Sequence, residues 1–205
     1  MVKNAWQKQL AQAVSPLQDG VSSLQVNNFR PSDDAGMRPG RTAAVLVPIL
    51  DLSEPEILLT RRSTQLANHP GQISFPGGRA EEADDSAVRT ALREAEEEVG
   101  LNPDMVTPIG FLDRFDSISD YRILPVVGVV NPPVELKLDT REVEEVFTIP
   151  LSVALDRRNY RKRPISHSSG SYALHSIEWR GHVVWGLTAA MLLNLSKRMN
   201  GRIMS

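Results

Sequence analysis

The sequence predicts an α+β domain in which a sheet is covered by helices. Apolar, strand-length runs recur near residues 43–50, 56–62 and 121–130. Helical apolar spacing marks residues 86–99 and 186–199. The two kinds of segment are interleaved without an internal repeat, which argues for a layered domain over a solenoid. A chain of 205 residues suits a single domain with a two- or three-layer core.

Taken in order, residues 4–14 place Trp6, Leu10, Ala13 and Val14 at near-helical spacing, the pattern of a short amphipathic helix. Residues 28–41 are polar, with Pro31, Gly36, Pro39 and Gly40, and read as a loop. Ala43 to Leu50 is a continuous apolar run, as in a buried strand, and Glu56 to Arg62 is a second strand after a turn near Pro55. A loop over 66–80 leads into the helix at 86–99. Strands are expected near 105–113 and 121–130, the second ended by Asn131-Pro132-Pro133. Val143 to Phe147 reads as a strand or short turn, 151–156 as a helical turn and 159–184 as a hairpin. The last helix, 186–199, places Leu187, Met191, Leu192 and Leu195 on its core side. The expected organisation is an N-terminal helix and loop (1–40) packing on one domain (41–199), with a tail (200–205).

Composition narrows the function. The net charge of −2 gives no global attraction to nucleic acid or an anionic membrane. The chain has no cysteine, so disulfides and thiolate zinc sites are excluded, and a cytoplasmic setting is expected. No apolar run reaches 18 residues, the N-terminus lacks a signal-peptide core, and the final residues are not a peroxisomal address.

The chemistry concentrates in residues 77–101. Asp84, Asp85 and Ser86 are good helix-capping residues, and Gly100 follows the last apolar position, where helices commonly end. Val88, Leu92, Ala95 and Val99 make one apolar face. At roughly 100° per residue, Glu94, Glu97 and Glu98 fall within an arc of about 100° off that face. Like charges so spaced cost roughly 0.2–0.5 kcal/mol per pair, which Arg93 offsets in part. A hard divalent cation offsets more, since Mg²⁺ favours oxygen ligands shared between carboxylates and substrate phosphates. Gly77 and Gly78 would let the backbone approach this helix closely.

This segment resembles the Nudix box, the signature of Nudix hydrolases. Arg93-Glu94-Ala95-Glu96-Glu97-Glu98-Val99-Gly100-Leu101 matches its second half at every position. The first half has one extra residue and Asp in place of Glu. Counting from Gly78 puts the early acid at Asp84, and counting from Arg93 puts it at Asp85. Leu58-Leu59-Thr60-Arg61-Arg62-Ser63 followed by Gly71-Gln72-Ile73-Ser74-Phe75-Pro76-Gly77-Gly78 is similar to the motif preceding the box in coenzyme A pyrophosphatases, except that Ala67 stands where that motif has Arg. Val184 to Ala189 is similar to the same group's entry into its C-terminal helix.

The resemblance implies an α/β/α sandwich with a mixed sheet and hydrolysis of a diphosphate linkage with Mg²⁺ or Mn²⁺. Glu97 and Glu98 are the foremost metal ligands; Glu94 is a third ligand or the base that orients water. Arg93 is expected to fix a glutamate rotamer. Glu142 is carried over as an extra metal or base function. Arg61 or Arg62 suits a phosphate by guanidinium geometry, and His69 lies in the substrate loop. The substrate implied is coenzyme A or acyl-CoA, and a homodimer is compatible with the sequence. A nucleotide sugar, a dinucleoside polyphosphate or an RNA cap is the alternative with the same chemistry, and a non-catalytic nucleotide-binding module is the alternative without it. The basic cluster Arg157, Arg158, Arg161, Lys162 and Arg163 reads as a solvated loop, a clamp for the 3′-phosphate and adenine, or an RNA contact.

Overall fold

Residues 4–17, 41–117, 121–167 and 170–200 are described in the computed structural model of the chain. In chain order they form α1 (Ala5–Ala13), β1 (Ser15–Pro16), β2 (Arg41–Leu50), β3 (Glu56–Arg62), β4 (Ile73–Ser74), β5 (Gly77–Arg79), α2 (Ala87–Val99) and β6 (Val106–Phe111). There follow β7 (Phe115–Asp116), β8 (Tyr121–Val130), β9 (Val143–Pro150), α3 (Leu151–Leu155), β10 (Tyr160–His167), β11 (Gly170–Trp179), β12 (His182–Trp185) and α4 (Gly186–Asn200). Of the loop expected at 28–41 and the tail expected at 200–205, residues 28–40 and 201–205 lie outside the described residues, while Arg41 opens β2 and Asn200 ends α4.

β2 is the hub of the larger sheet. It runs parallel to β8 along its whole length, from Arg41 opposite Tyr121 to Leu50 opposite Val130. β6 and then β1 extend the sheet antiparallel beyond β8. On its other side β2 meets β3 only at Ile49 and Leu50, then pairs with β5 at Ala43 to Val45. β3 turns away to pair with β9 and β4. The sheet therefore opens between β2 and β3, and β5 enters the opening. β10, β11 and β12 make a separate antiparallel sheet.

Two cores follow from the two-residue period of the strands. Ala44 and Leu46 pack with α2, whereas Val47 and Ile49 pack with residues of α1, α3 and α4. Burial on both faces explains why this strand is continuously apolar. The result is the expected sandwich with a mixed sheet. Within the stretch read as a loop, 66–80, the structure adds the short strands β4 and β5.

Helix α2 corrects one expectation. Its buried face is Ala87, Thr90, Ala91, Ala95, Glu98 and Val99, while Val88 and Leu92 are only partly buried. Small alanines let the helix settle close to β2 and β5. The helix is thereby rotated toward Glu98, which is 4% exposed and lies on the core side. The caps are those expected: Ser86 Oγ accepts from Arg89 N, and Gly100 is left-handed at φ 69°. The strap over residues 131–142 then crosses the helix end. Lys137 N donates to Val99 O at 2.9 Å and Asp139 N to Glu98 O at 3.0 Å, satisfying carbonyls that a helix end leaves open.

Candidate active site

The opening of the sheet brings α2, β5, β3 and the strap together around Glu98. Gly77 N donates to Glu98 Oε2 at 3.2 Å. Arg62 Nη1, from the end of β3, lies 3.8 Å from Glu98 Oε1. Burial pushes the Glu98 carboxyl up to about 8; the Gly77 N–H and Arg62 pull against this, and the charges of Glu94 and Glu142 add to it. Glu94 is raised by burial first, held back by Arg93, and raised again by Glu97 and Glu142. Glu142 is exposed, and its carbonyl accepts from Ser63 N at 2.8 Å, which docks the strap beside the end of β3.

Gly78 shows how tight this assembly is. A Cβ there would stand 2.5 Å from the carboxyl carbon of Glu94. Gly78→Ala is therefore expected to displace the Glu94 carboxylate and to lower kcat roughly a hundredfold. Steady-state kinetics beside a melting curve tests this; a folded variant with wild-type kcat would show that Glu94 tolerates displacement.

Arg93 organises the other side. Its Nε and Nη2 donate to Asp84 at 3.2 and 2.9 Å, and Nη2 also reaches Arg79 O at 3.1 Å. Its Nη1 lies 3.0 Å from both Glu94 Oε1 and Glu97 Oε2, so those carboxylates are neighbours across one nitrogen. Asp84 also accepts from Thr90 Oγ1 and Glu81 N, each at 3.0 Å. The Arg93 hydrogen bond, the largest influence, holds the Asp84 carboxyl down near 2, and Asp84 in turn raises Arg93. Asp85 is exposed. Of the two early acids, then, Asp84 engages Arg93, as the count from Gly78 indicated. With Asp84 in that place, the extra residue falls after it, between Asp84 and Arg93, where Asp85 and the capping Ser86 precede α2.

The remaining candidates are dispersed. Arg61 points to the opposite sheet face from Arg62 and is ion-paired with Glu145, so the structure brings Arg62, and not Arg61, to the carboxylates. His69 and Ala67 are exposed in the loop after β3, with His69 at φ 54°. Arg157, Arg158, Arg161 and Lys162 are exposed around the start of β10, where Arg158 pairs with Asp156 at 2.7 Å. The side chain of Arg163 lies outside the described residues. Glu145, which proves to be the partner of Arg61, and His182, which proves to be the partner of Glu145, have no local sequence signal.

Among the described residues, no three acidic or histidine side chains form a ready-made cation cage. Glu97 is 59% exposed and turned toward Arg93. The chemistry of the donor set nevertheless fits a hard divalent cation. The charges of Glu94 and Glu142 raise the proton affinity of Glu98, those of Glu97 and Glu142 raise that of Glu94, and every potential ligand is a carboxylate oxygen. A cation can discharge such a cluster without protonating it.

A NUDIX domain model matches residues 40–168. The Nudix hydrolase NudL of Escherichia coli K12, described as uncharacterized, is 38% identical over 180 residues, covering 88% of this chain and 93% of that protein. NudL of Shigella boydii is likewise 38% identical over the same 180-residue length, with 88% and 93% covered. Among solved structures, an Ap4A hydrolase of C. elegans in a binary complex has a TM-score of 0.48 at 20% identity, covering 55% of this chain and 83% of that one. A MutT protein from Methanosarcina mazei Go1 has a TM-score of 0.49 at 17% identity, covering 82% and 98%.

Proposed function

The chain belongs to the Nudix hydrolase family, and from that premise we propose that this hydrolase of pyrophosphate linkages cleaves the diphosphate of coenzyme A, and of acyl-CoA, to 4′-phosphopantetheine and adenosine 3′,5′-bisphosphate. The observation that carries the reading is the buried carboxylate of Glu98, held between the Gly77 N–H and Arg62 with Glu94 and Glu142 beside it. Both Gly77 and Arg62 belong to the stretch similar to the coenzyme A pyrophosphatase motif.

Glu94, Glu97 and Glu98 would hold a Mg²⁺ or Mn²⁺, with Glu142 close by. The ion, when bound, would neutralise phosphate oxygens and acidify water. Arg62 offers guanidinium N–H groups to the diphosphate. A water oxygen forms a bond to one phosphorus, and the bridging P–O bond breaks. The water proton passes to Glu94 or Glu142, both less deeply buried than Glu98. Comparing pH–rate profiles of Glu94→Gln and Glu142→Gln assigns that role, since loss of the base removes the acidic limb.

The reading is tested by product analysis after incubation with coenzyme A and Mn²⁺, against ADP-ribose and a dinucleoside polyphosphate, with EDTA as control. Selective, EDTA-sensitive release of 4′-phosphopantetheine is expected. Ala67 favours a second reading, a Nudix diphosphatase for another nucleoside diphosphate derivative, and preferential cleavage of either other substrate would establish it in place of the first.

A further inference from the structure

The site depends on an irregularity in the β3/β9 pairing. The two strands pair in register from Glu56 opposite Pro150 to Arg61 opposite Glu145. The next rung is Arg62 opposite Val143, so Glu144 is bulged out. Beyond it, Ser63 N bonds to Glu142 O. Arg62, at the end of β3, and Glu142, in the strap just before β9, therefore lie at or past the bulge. Bulges re-aim side chains beside active sites, and a slip of one residue in an antiparallel pair exchanges the two faces.

The last regular rung before the bulge is closed on the far face of the sheet. Arg61 Nη2 forms an ion pair with Glu145 Oε2. Glu145 Oε1 accepts from His182 Nε2 at 3.1 Å, and the His182 ring stacks on Phe147, with centroids 3.9 Å apart and planes at 15°. Glu145 and Phe147 are successive same-face residues of β9, so β12 grips the strand at two points. Meanwhile Arg61 Nε and His182 Nδ1 are buried without a hydrogen-bond partner among the described residues. A partly satisfied polar cluster is a poor way to gain stability, since apolar side chains of similar size commonly do as well. Its advantage is that a charged pair specifies one register.

We propose that Arg61, Glu145 and His182 are positioning residues, a clamp that holds the bulge in register and so aims Arg62 and Glu142 at Glu98 and Glu94; the proposal rests on reading that cluster as the catalytic site. It gives Arg61 a role other than touching substrate.

The test compares Glu145→Gln, Arg61→Lys and the apolar double variant Arg61→Met/Glu145→Leu with wild type. Three quantities are read: kcat and KM for whichever diphosphate the wild type cleaves, Mn²⁺ affinity by electron paramagnetic resonance, and melting temperature. The clamp predicts that Glu145→Gln and the double variant lose roughly 10- to 100-fold in kcat, with weakened Mn²⁺ binding and KM within about threefold. The double variant should melt no lower than wild type, and Arg61→Lys, which keeps the charge, should retain most of the activity. Unchanged kcat and Mn²⁺ affinity in folded Glu145→Gln and double variants would overturn the clamp while leaving the catalytic reading intact. A rise in KM confined to the Arg61 variants would replace it with a substrate contact. Absence of turnover and of Mn²⁺ binding in the wild type itself would instead remove the catalytic reading on which the clamp stands.

Discussion

Replacing Glu98 by glutamine is expected to lower kcat roughly a thousandfold, about 4 kcal/mol of barrier, and at the same time to raise the stability of the metal-free protein at pH 8. The two effects share one cause. Glu98 is 4% exposed, and burial pushes its carboxyl up to about 8 from an ordinary 4.5. Between those values the folded chain keeps a proton that the unfolded chain has released. The stability contributed by this group is therefore fully present below pH 4.5 and is lost as pH rises through 8. The loss is on the order of a few kcal/mol. Glutamine has no proton to release, so Glu98→Gln should flatten that part of the pH–stability curve. Mg²⁺ should then stabilise the wild type at pH 8 by mass action and the variant far less. Chemical denaturation between pH 5 and 8, with and without Mg²⁺, checks both halves. A variant with wild-type slope and wild-type kcat would place Glu98 outside the site.

That arrangement was only partly legible in the sequence. The limits of α2 were, because Ser86 and Gly100 act through local backbone geometry that residue type reports directly. Of the helix face, Ala95 and Val99 were, and the rest was not. Weighting large apolar residues pointed to Val88 and Leu92, but the close contact is made by Ala87, Ala91 and Ala95, whose value lies in what they leave out. A glutamate between such alanines and a glycine strand is buried by the partner's smallness, which the helix alone does not reveal. β5 escaped notice for the same reason, since Gly77 and Gly78 carry no strand preference and pair only because β2 offers a free edge. The choice between Asp84 and Asp85 turned on how a loop absorbs one extra residue. Glu145, the partner of Arg61, and His182, the partner of Glu145, lie far along the chain in β9 and β12, and nothing near either announces it. The sequence left Arg61 and Arg62 as alternatives, and the ion pair of Arg61 with Glu145 and the approach of Arg62 to Glu98 separate them.

Arg93→Met is expected to cost about 3–5 kcal/mol of stability and most of the activity. Arg93 is 14% exposed and is shared by Asp84, Glu94, Glu97 and the carbonyl of Arg79. Without it the Asp84 carboxylate, 2% exposed, keeps among the described residues only Thr90 Oγ1 and Glu81 N. Glu94 and Glu97 lose the nitrogen that holds them side by side, so the ligand set loosens as the loop before α2 does. Asp84→Asn should reproduce a smaller part of the loss, and Asp85→Asn almost none, because Asp85 is exposed. Acid separates the ionic contribution from simple packing. The Asp84 carboxyl is held near 2 against an ordinary 3.8, so its stabilisation is present above 3.8 and lost as pH falls through 2. The gap between wild type and Arg93→Met should accordingly narrow over that window in urea titrations. A gap that stays constant would make Arg93 a packing residue, and a larger loss in Asp85→Asn than in Asp84→Asn would reverse the order of the two acids.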